Sequence, residues 1–407
     1  MLFRSYDRTQ IHNAFVYALS NAIGRWAPRT KFAELFFDWN GDGLDASDYV
    51  GVTVLTDRLS VGKNRINIAS IAPSDLTAPA ITGGYILKID DKLSTEYGSI
   101  TDHGIPDRDS CMVVVDTPSA DQLPPAQRDY IRGYVQTMEN AIFTGRDSGW
   151  RDRSYLDYID LPSWVDHHLL ETLVGNVDAL THSDYFVKNR GGKLAAGPVW
   201  DFDRALGSYD DRTQPAEGWP AGPVDIWTYG WYGVLAHDPE FQQAWVDRWQ
   251  TLRAGALSTP ALAGLAQSLA AELTPEAAAR DAARWPDNTS PTGNGFAGEI
   301  ARLNDWLARH CAWIDRQFVA APSVSANGTN LVFTPPAGAQ LAYTLDGSDP
   351  RSLGGTVAPG TRLVSGPLTV SATANVHVRS YRADRLDAFP GSPWSAALGG
   401  AASTPLT

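Results

Sequence analysis

Just past Phe318 the chain changes character, and no other feature constrains its fold as strongly. Residues 235–318 carry helical patterns that close on Leu303, Trp306, Leu307, Trp313 and Ile314, with Thr259 and Thr274 each followed by Pro as helix starts. Beyond them the composition turns to Ala, Pro, Ser, Gly and Thr, and short alternating runs at 330–333, 341–345, 368–370 and 376–379 read as strands. The expectation is a first unit over 1–318, a linker over 319–323 and a small all-β unit over 324–400. The length of 407 residues agrees, since a single core stops growing at about 250–300 residues.

Within the first unit, Ile11, Phe15, Leu19, Ile23 and Trp26 recur at helical spacing between Asp7 and Pro28. Strand-like runs follow at 32–37, 49–55 and 85–89, the last opening after Gly83-Gly84. From Pro162, one helical face of Trp164, Val165, Leu169, Leu170, Leu173 and Val174 stops at Gly175. A hairpin is expected next, with 185–187 and 194–199 joined through Asn189-Arg190-Gly191-Gly192 and leading to Trp200-Asp201-Phe202-Asp203. The fold class expected from this order is α+β.

Composition narrows the function. The net charge of −13, with no Lys/Arg block, argues against nucleic acid as a partner. No run of 18 apolar residues is present, so no transmembrane segment is expected, and the first residues lack the succession of a signal peptide. Cys111 and Cys311 leave one bridge and two thiols equally open.

Phosphoryl transfer needs a cation for the phosphates, a carboxylate near the acceptor hydroxyl and acidic ligands for a bridging metal. Lys88 on a strand, Asp178 after the capped helix and Asp201 after the hairpin present that succession in order. The 201 − 178 = 23 residues between the aspartates suit one hairpin, which returns the chain to nearly where it began. A second acidic stretch, with Asp38, Asn40 and Asp42 before Gly43, resembles the first half of a Ca²⁺ loop. Its twelfth position is Tyr49 and Asp48 falls one residue early, so a calcium loop and a solvated acidic turn both stand. His167, His168 and His182 are expected to be structural; the first two are adjacent and point to different helix faces.

The residues around these positions resemble the CotH kinase family of spore-coat and secreted proteins. The resemblance rests on Asn176-Val177-Asp178, on Asp184-Tyr185-Phe186 and on the run from Pro198 to Gly207. Gly83-Gly84-Tyr85-Ile86-Leu87-Lys88 upstream and Asp281-Ala282-Ala283-Arg284-Trp285 downstream extend it over roughly 1–318. It implies an atypical protein-kinase-like domain, N-lobe-like over about 1–100 and helical C-lobe-like over about 120–318, with a helical tail. By the same resemblance Lys88 contacts the phosphates of ATP, Asp178 orients or deprotonates the acceptor, and Asp201 holds Mg²⁺ with Asp203 assisting. Asp57 stands where the family offers a Glu to pair with the lysine, and Asp184 or Ser183 where an Asn helps bind metal.

The implied reaction is ATP- and Mg²⁺-dependent phosphorylation of Ser or Thr on protein partners in an extracellular or cell-envelope setting. The family's glycine-containing early strands have no counterpart after Met1, so an N-terminally truncated lobe is expected. The alternative is a catalytically silent kinase-like binding or envelope protein. In the last unit, the run from Tyr343 to Pro350 resembles the sandwich appended to chitobiases, which implies contact with carbohydrate or a surface rather than catalysis. A glycoside hydrolase with paired carboxylates has no other motif in its favour.

Overall fold

The computed structural model describes residues 6–104, 111–210, 212, 215–220, 224–286 and 295–399. In chain order the elements are α1 (His12–Ala22), β1 (Thr30–Phe36), β2 (Tyr49–Thr56), β3 (Tyr85–Asp91), β4 (Tyr97–Ser99), β5 (Cys111–Thr117), α2 (Pro125–Asp147) and α3 (Leu161–Val174). There follow β6 (Asp184–Lys188), β7 (Leu194–Ala196), α4 (Gly230–Leu235), α5 (Pro239–Arg253), α6 (Thr259–Ala270), α7 (Pro275–Arg284) and α8 (Gly295–Gln317). The rest is strand: β8 (Ser323–Asn327), β9 (Asn330–Thr334), β10 (Gln340–Thr344), β11 (Arg362–Val364), β12 (Leu368–Ser371), β13 (His377–Tyr381) and β14 (Leu398–Gly399). The fold is α+β, as expected.

Local chemistry explains the first helix. The Asp7 carboxylate accepts from the backbone amides of Thr9, Gln10 and His12 at 2.8–2.9 Å, satisfying donors that a helix start leaves open. α3 has Pro162 in its first turn and ends on Gly175 in the left-handed conformation at φ 59°, where a side chain would be strained. Nearly all of α3 is buried, because it runs under the central sheet and is covered by other helices on its far side.

That sheet is antiparallel, in the order β4-β5-β3-β6-β7. It draws β3 to β5 and β6 to β7 from either side of the lobe division expected near 100–120, so strands from both expected lobes share one sheet. Leu87, Ile89, Val113, Val115 and Phe186 face the helical core; Ile86 and Tyr185 face a smaller cluster under the 59–68 segment. β1 and β2 make a separate two-stranded ribbon, which on its own would be marginal. The helical tail holds it: the Asp281 carboxylate accepts from Val52 N at 2.7 Å, and the Trp285 indole donates to Val50 O at 2.9 Å.

The C-terminal strands form a four-stranded sheet, β11-β10-β13-β14, and a three-stranded one, β12-β9-β8. Phe333, Leu341, Val376 and Val378 fill the space between them. This unit is fastened to α5 by two buried arginines. Arg351 makes two 2.8 Å bonds to Glu240, and Arg379 bonds Asp247 of α5 (2.7 Å) together with Asp349 of its own unit (2.7 Å). Replacing Arg379 strands both carboxylates, which keep more than a third of their exposure, so Arg379→Ala is expected to cost about 2–3 kcal/mol in denaturant unfolding. Arg382 is half-exposed and pairs with the exposed Asp384, so Arg382→Ala should leave the unfolding midpoint where it is.

Candidate functional site

β3 pairs with β6 so that Lys88 lies opposite Tyr185, which puts both side chains on the sheet face turned away from the helical core. Lys88 is buried there and forms ion pairs with Asp90 (3.2 Å) and Glu96 (3.1 Å). Burial alone would lower the ammonium's pKa; Asp90 and Glu96 outweigh it and hold the group above the ordinary lysine value. Asp116 of β5 shares this face, and burial raises its carboxyl against the pull of the Thr117 hydroxyl and Lys88.

The turn that follows β7 carries Asp201. Its backbone is left-handed at φ 65°, uncommon for a residue other than glycine. α1 holds the turn in place: Asn13 accepts from Phe202 N at 2.7 Å, the Tyr17 hydroxyl accepts from Asp201 N at 3.4 Å, and the Tyr17 ring stacks on Trp200. Leu206 N donates to Val174 O at 2.6 Å, tying the same turn to the end of α3.

Asp203 is buried two residues from Asp201, and its Oδ2 has no hydrogen-bond partner. Burial and the neighbouring charge push Asp203 up to about 7, and burial, with Asp178 and Asp90 adding to it, also raises Asp201. A buried carboxylate oxygen without a partner, next to a second carboxyl, is a donor set that a divalent cation fits, since the ion supplies the positive charge that two close carboxylates lack.

Asp178 stands in the loop after α3. Its carboxylate accepts from Arg212 at 2.8 Å and lies 3.8 Å from Arg204. Asp90, which pairs with Lys88, lies near enough to Asp201 to raise its carboxyl, as does Asp178.

Two expected residues lie elsewhere. Asp57 does not pair with Lys88. The β1–β2 register places Thr30 opposite Thr56, so the adjoining Arg29 takes Asp57 at 2.7 Å, with Arg65 at 4.0 Å. The partner expected in Asp57 is Glu96, just before β4. Strand periodicity could not find it, because it comes from the turn after β3.

Asp184 is the second correction. One residue from Tyr185, it faces the opposite side of the sheet and is buried against α3, 3.2 Å from His167 and near Glu171, away from the turn of Asp201. Burial first, then Glu171, raises Asp184 well above the carboxylate range; burial pushes Glu171 up to about 8 and His167 down to about 3. His168 is a core group whose ring nitrogens meet Ile226 O (2.9 Å) and the Trp245 indole (3.1 Å).

In the acidic stretch, Asp38 accepts from the amides of Gly41 and Gly43, while the Asn40 amide donates to Asp42. Carboxylate oxygens of Asp38, Asp42 and the buried Asp48 converge within 4.8 Å of one another. Cys111 and Cys311 form no disulfide. A cavity of about 570 Å³ opens at the β7 edge, walled by Trp26, Val187, Pro198 and Val199 and rimmed by Arg29 and Lys63; Lys88, Asp178 and Asp201 are not in its wall.

Lys88 stands on a strand, Asp178 in the loop behind a capped helix and Asp201 in the turn after the next hairpin. Residues 4–314 match the family described as CotH kinase protein, and the chain belongs to that family. No curated protein matches the chain. Among the described residues, no helix is long and apolar enough to cross a membrane.

The buried acids beneath the sheet give a pH test. Glu171 keeps its proton in the fold to about pH 8 but loses it near the ordinary value when unfolded. Its contribution is complete below the unfolded pKa and is lost as pH rises through the folded one. Glu171→Gln, which can still accept from Asn176, should therefore gain on wild type in unfolding free energy between pH 5 and 8, by up to about 1.4 kcal/mol per pH unit. A gap that stays constant with pH would mean that Glu171 is ionised in the fold.

Proposed function

We propose that the chain binds ATP with Mg²⁺ over the outer sheet face and transfers the γ-phosphoryl group to a Ser or Thr hydroxyl of a protein partner in an extracellular or envelope setting. The observation that carries this reading is the buried, unpartnered Asp203 Oδ2 close to Asp201, with Asp178 near enough to Asp201 to raise its carboxyl. Acidic groups crowd this site. Asp90, Glu96, Asp116, Asp178, Asp201 and Asp203 face Lys88, Arg204 and Arg212, a balance that admits a triphosphate only together with added cations.

In this reading Asp201 and Asp203 would hold Mg²⁺, which would supply charge neutralisation to the β- and γ-phosphates. Lys88 turns its ammonium from Asp90 and Glu96 to a phosphate oxygen. Asp178 accepts a hydrogen bond from the acceptor hydroxyl and orients it, and Arg212 and Arg204 supply positive charge beside it. The cavity at the β7 edge offers apolar walls for the nucleobase; Val199 in that wall is two residues from Asp201.

The ion pairs of Lys88 with Glu96 and of Asp178 with Arg212 favour a second reading, a kinase-like protein that binds partners without transfer. Nucleotide binding and phosphate transfer, measured separately, divide the two. Asp201→Ala should abolish Mg²⁺-dependent ATP binding, and Asp178→Ala should keep binding while lowering transfer by at least about 100-fold. ATP binding indifferent to Asp201→Ala and to Lys88→Ala would remove the assignment.

Two further roles belong to the proposal. The C-terminal strands serve as a chitobiase-type module contacting carbohydrate or a surface, and the Asp38–Asp42–Asp48 cluster takes Ca²⁺. Calorimetric titration should show Ca²⁺ binding that Asp48→Asn removes; heat that persists in the variant would assign the ion elsewhere.

A further inference from the structure

We propose that Asp91, Cys111 and His182 form a transition-metal site, with zinc as the expected ion, that fastens the loop carrying Asp178 to the central sheet. The three residues come from three segments. Asp91 ends β3, Cys111 opens β5 directly opposite it in the ladder, and His182 lies four residues after Asp178. Their donor atoms form a nearly equilateral triangle: Cys111 Sγ to His182 Nε2 is 3.7 Å, Cys111 Sγ to Asp91 Oδ1 is 3.8 Å, and His182 Nε2 to Asp91 Oδ1 is 3.7 Å.

Tetrahedral zinc with ordinary bond lengths to sulfur, nitrogen and oxygen sets its ligands roughly 3.3–3.6 Å apart. The triangle needs to close by only a few tenths of an ångström. A thiolate, an imidazole and one carboxylate form a donor set for zinc and its neighbours in the transition series rather than for Mg²⁺ or Ca²⁺.

The hydrogen bonds behind the histidine aim it at the triangle. The Thr181 hydroxyl donates to Asp178 O at 2.9 Å, so its lone pair is left to accept from His182 Nδ1 at 3.1 Å. In the neutral ring Nε2 then carries the lone pair, and it is Nε2 that faces Cys111 and Asp91. The same chain of bonds runs to the backbone of Asp178, which is how an ion here would set that residue's position.

A nucleophilic cysteine with a catalytic histidine is a poorer account of this geometry. Such a relay needs the carboxylate on the ring nitrogen away from sulfur, and here Asp91 meets the same Nε2 as Cys111 while Nδ1 faces Thr181. Cys111 is buried at 3% exposure, and His182 and Asp91 are half-open at 37% and 57%, so an ion can enter from solvent. On binding, the Cys111 thiol releases its proton to solvent as Sγ takes the metal.

The test uses the full chain, stripped with a chelator, freed of it and titrated with Co²⁺. One equivalent should produce a thiolate-to-cobalt charge-transfer band and tetrahedral visible bands, all abolished by added Zn²⁺. Cys111→Ser should lose the charge-transfer band, and His182→Ala and Asp91→Ala should each weaken binding at least about 10-fold. His182→Ala and Asp91→Ala change partly exposed side chains, so they read the site even if Cys111→Ser fails to fold. Cys311→Ser should bind as wild type does. No thiolate band in wild type, a band that persists in Cys111→Ser, or one that is lost in Cys311→Ser would overturn the site. Because the readout is the metal alone, it is independent of whether ATP binds.

Discussion

The antiparallel register of β3 against β6 decides what each side of the central sheet can carry. With Lys88 opposite Tyr185, every second residue of both strands is committed to one face, and the intervening ones, Leu87, Ile89 and Phe186, go to the core. A slip by one residue would bury the Lys88 ammonium among helices and turn Leu87 to solvent. The hydrophobic face therefore fixes the polar one. The sharp change between Tyr185 and Asp184 follows from the same rule, since neighbouring residues cannot serve the same site.

The charged face is only partly balanced, and its imbalance is held in place by apolar packing. Tyr17 and Trp200 stack, Phe202 packs edge-on to Tyr17, and Asn13 anchors the backbone, so Asp201 remains in a left-handed conformation beside a second carboxyl. Two like charges this close are costly unless a proton or a cation lies between them. Packing from α1 thus sustains an electrostatic tension at Asp201 and Asp203. A helix that reads in sequence as simple core is what aims the site.

Much of this was legible from local chemistry. Gly175 after an apolar helical face, and Asn189-Arg190-Gly191-Gly192 between two short apolar runs, have conformational requirements that no distant residue alters; the cap and the hairpin both form, with the second strand ending at Ala196 rather than Val199. β5 was not legible, although Val113-Val114-Val115 is strand-like, because its place beside β3 depends on pairing across about twenty residues. The partner of Lys88 was missed for a related reason. Family likeness pointed to Asp57, but Arg29 stands close to Asp57 once β1 and β2 pair, and the carboxylate that reaches Lys88 comes from the turn at Glu96. Asp184 was assigned to the metal through its neighbours in sequence, where strand alternation already opposed it.

The loop after α3 joins these observations. Its start is fixed by the left-handed Gly175 and by Asn176, which donates to Glu171 and whose side chain accepts from Asp178 N. Its middle is a tight turn in which Thr181 N, Thr181 Oγ and His182 N all donate to Asp178 O. Asp178 is thus the one residue of this stretch whose carbonyl is used three times and whose side chain is left for charged partners. The loop runs from the helix end on one side to the strand ends of Asp91 and Cys111 on the other, and hydrogen bonds already in place join His182 to the backbone of Asp178.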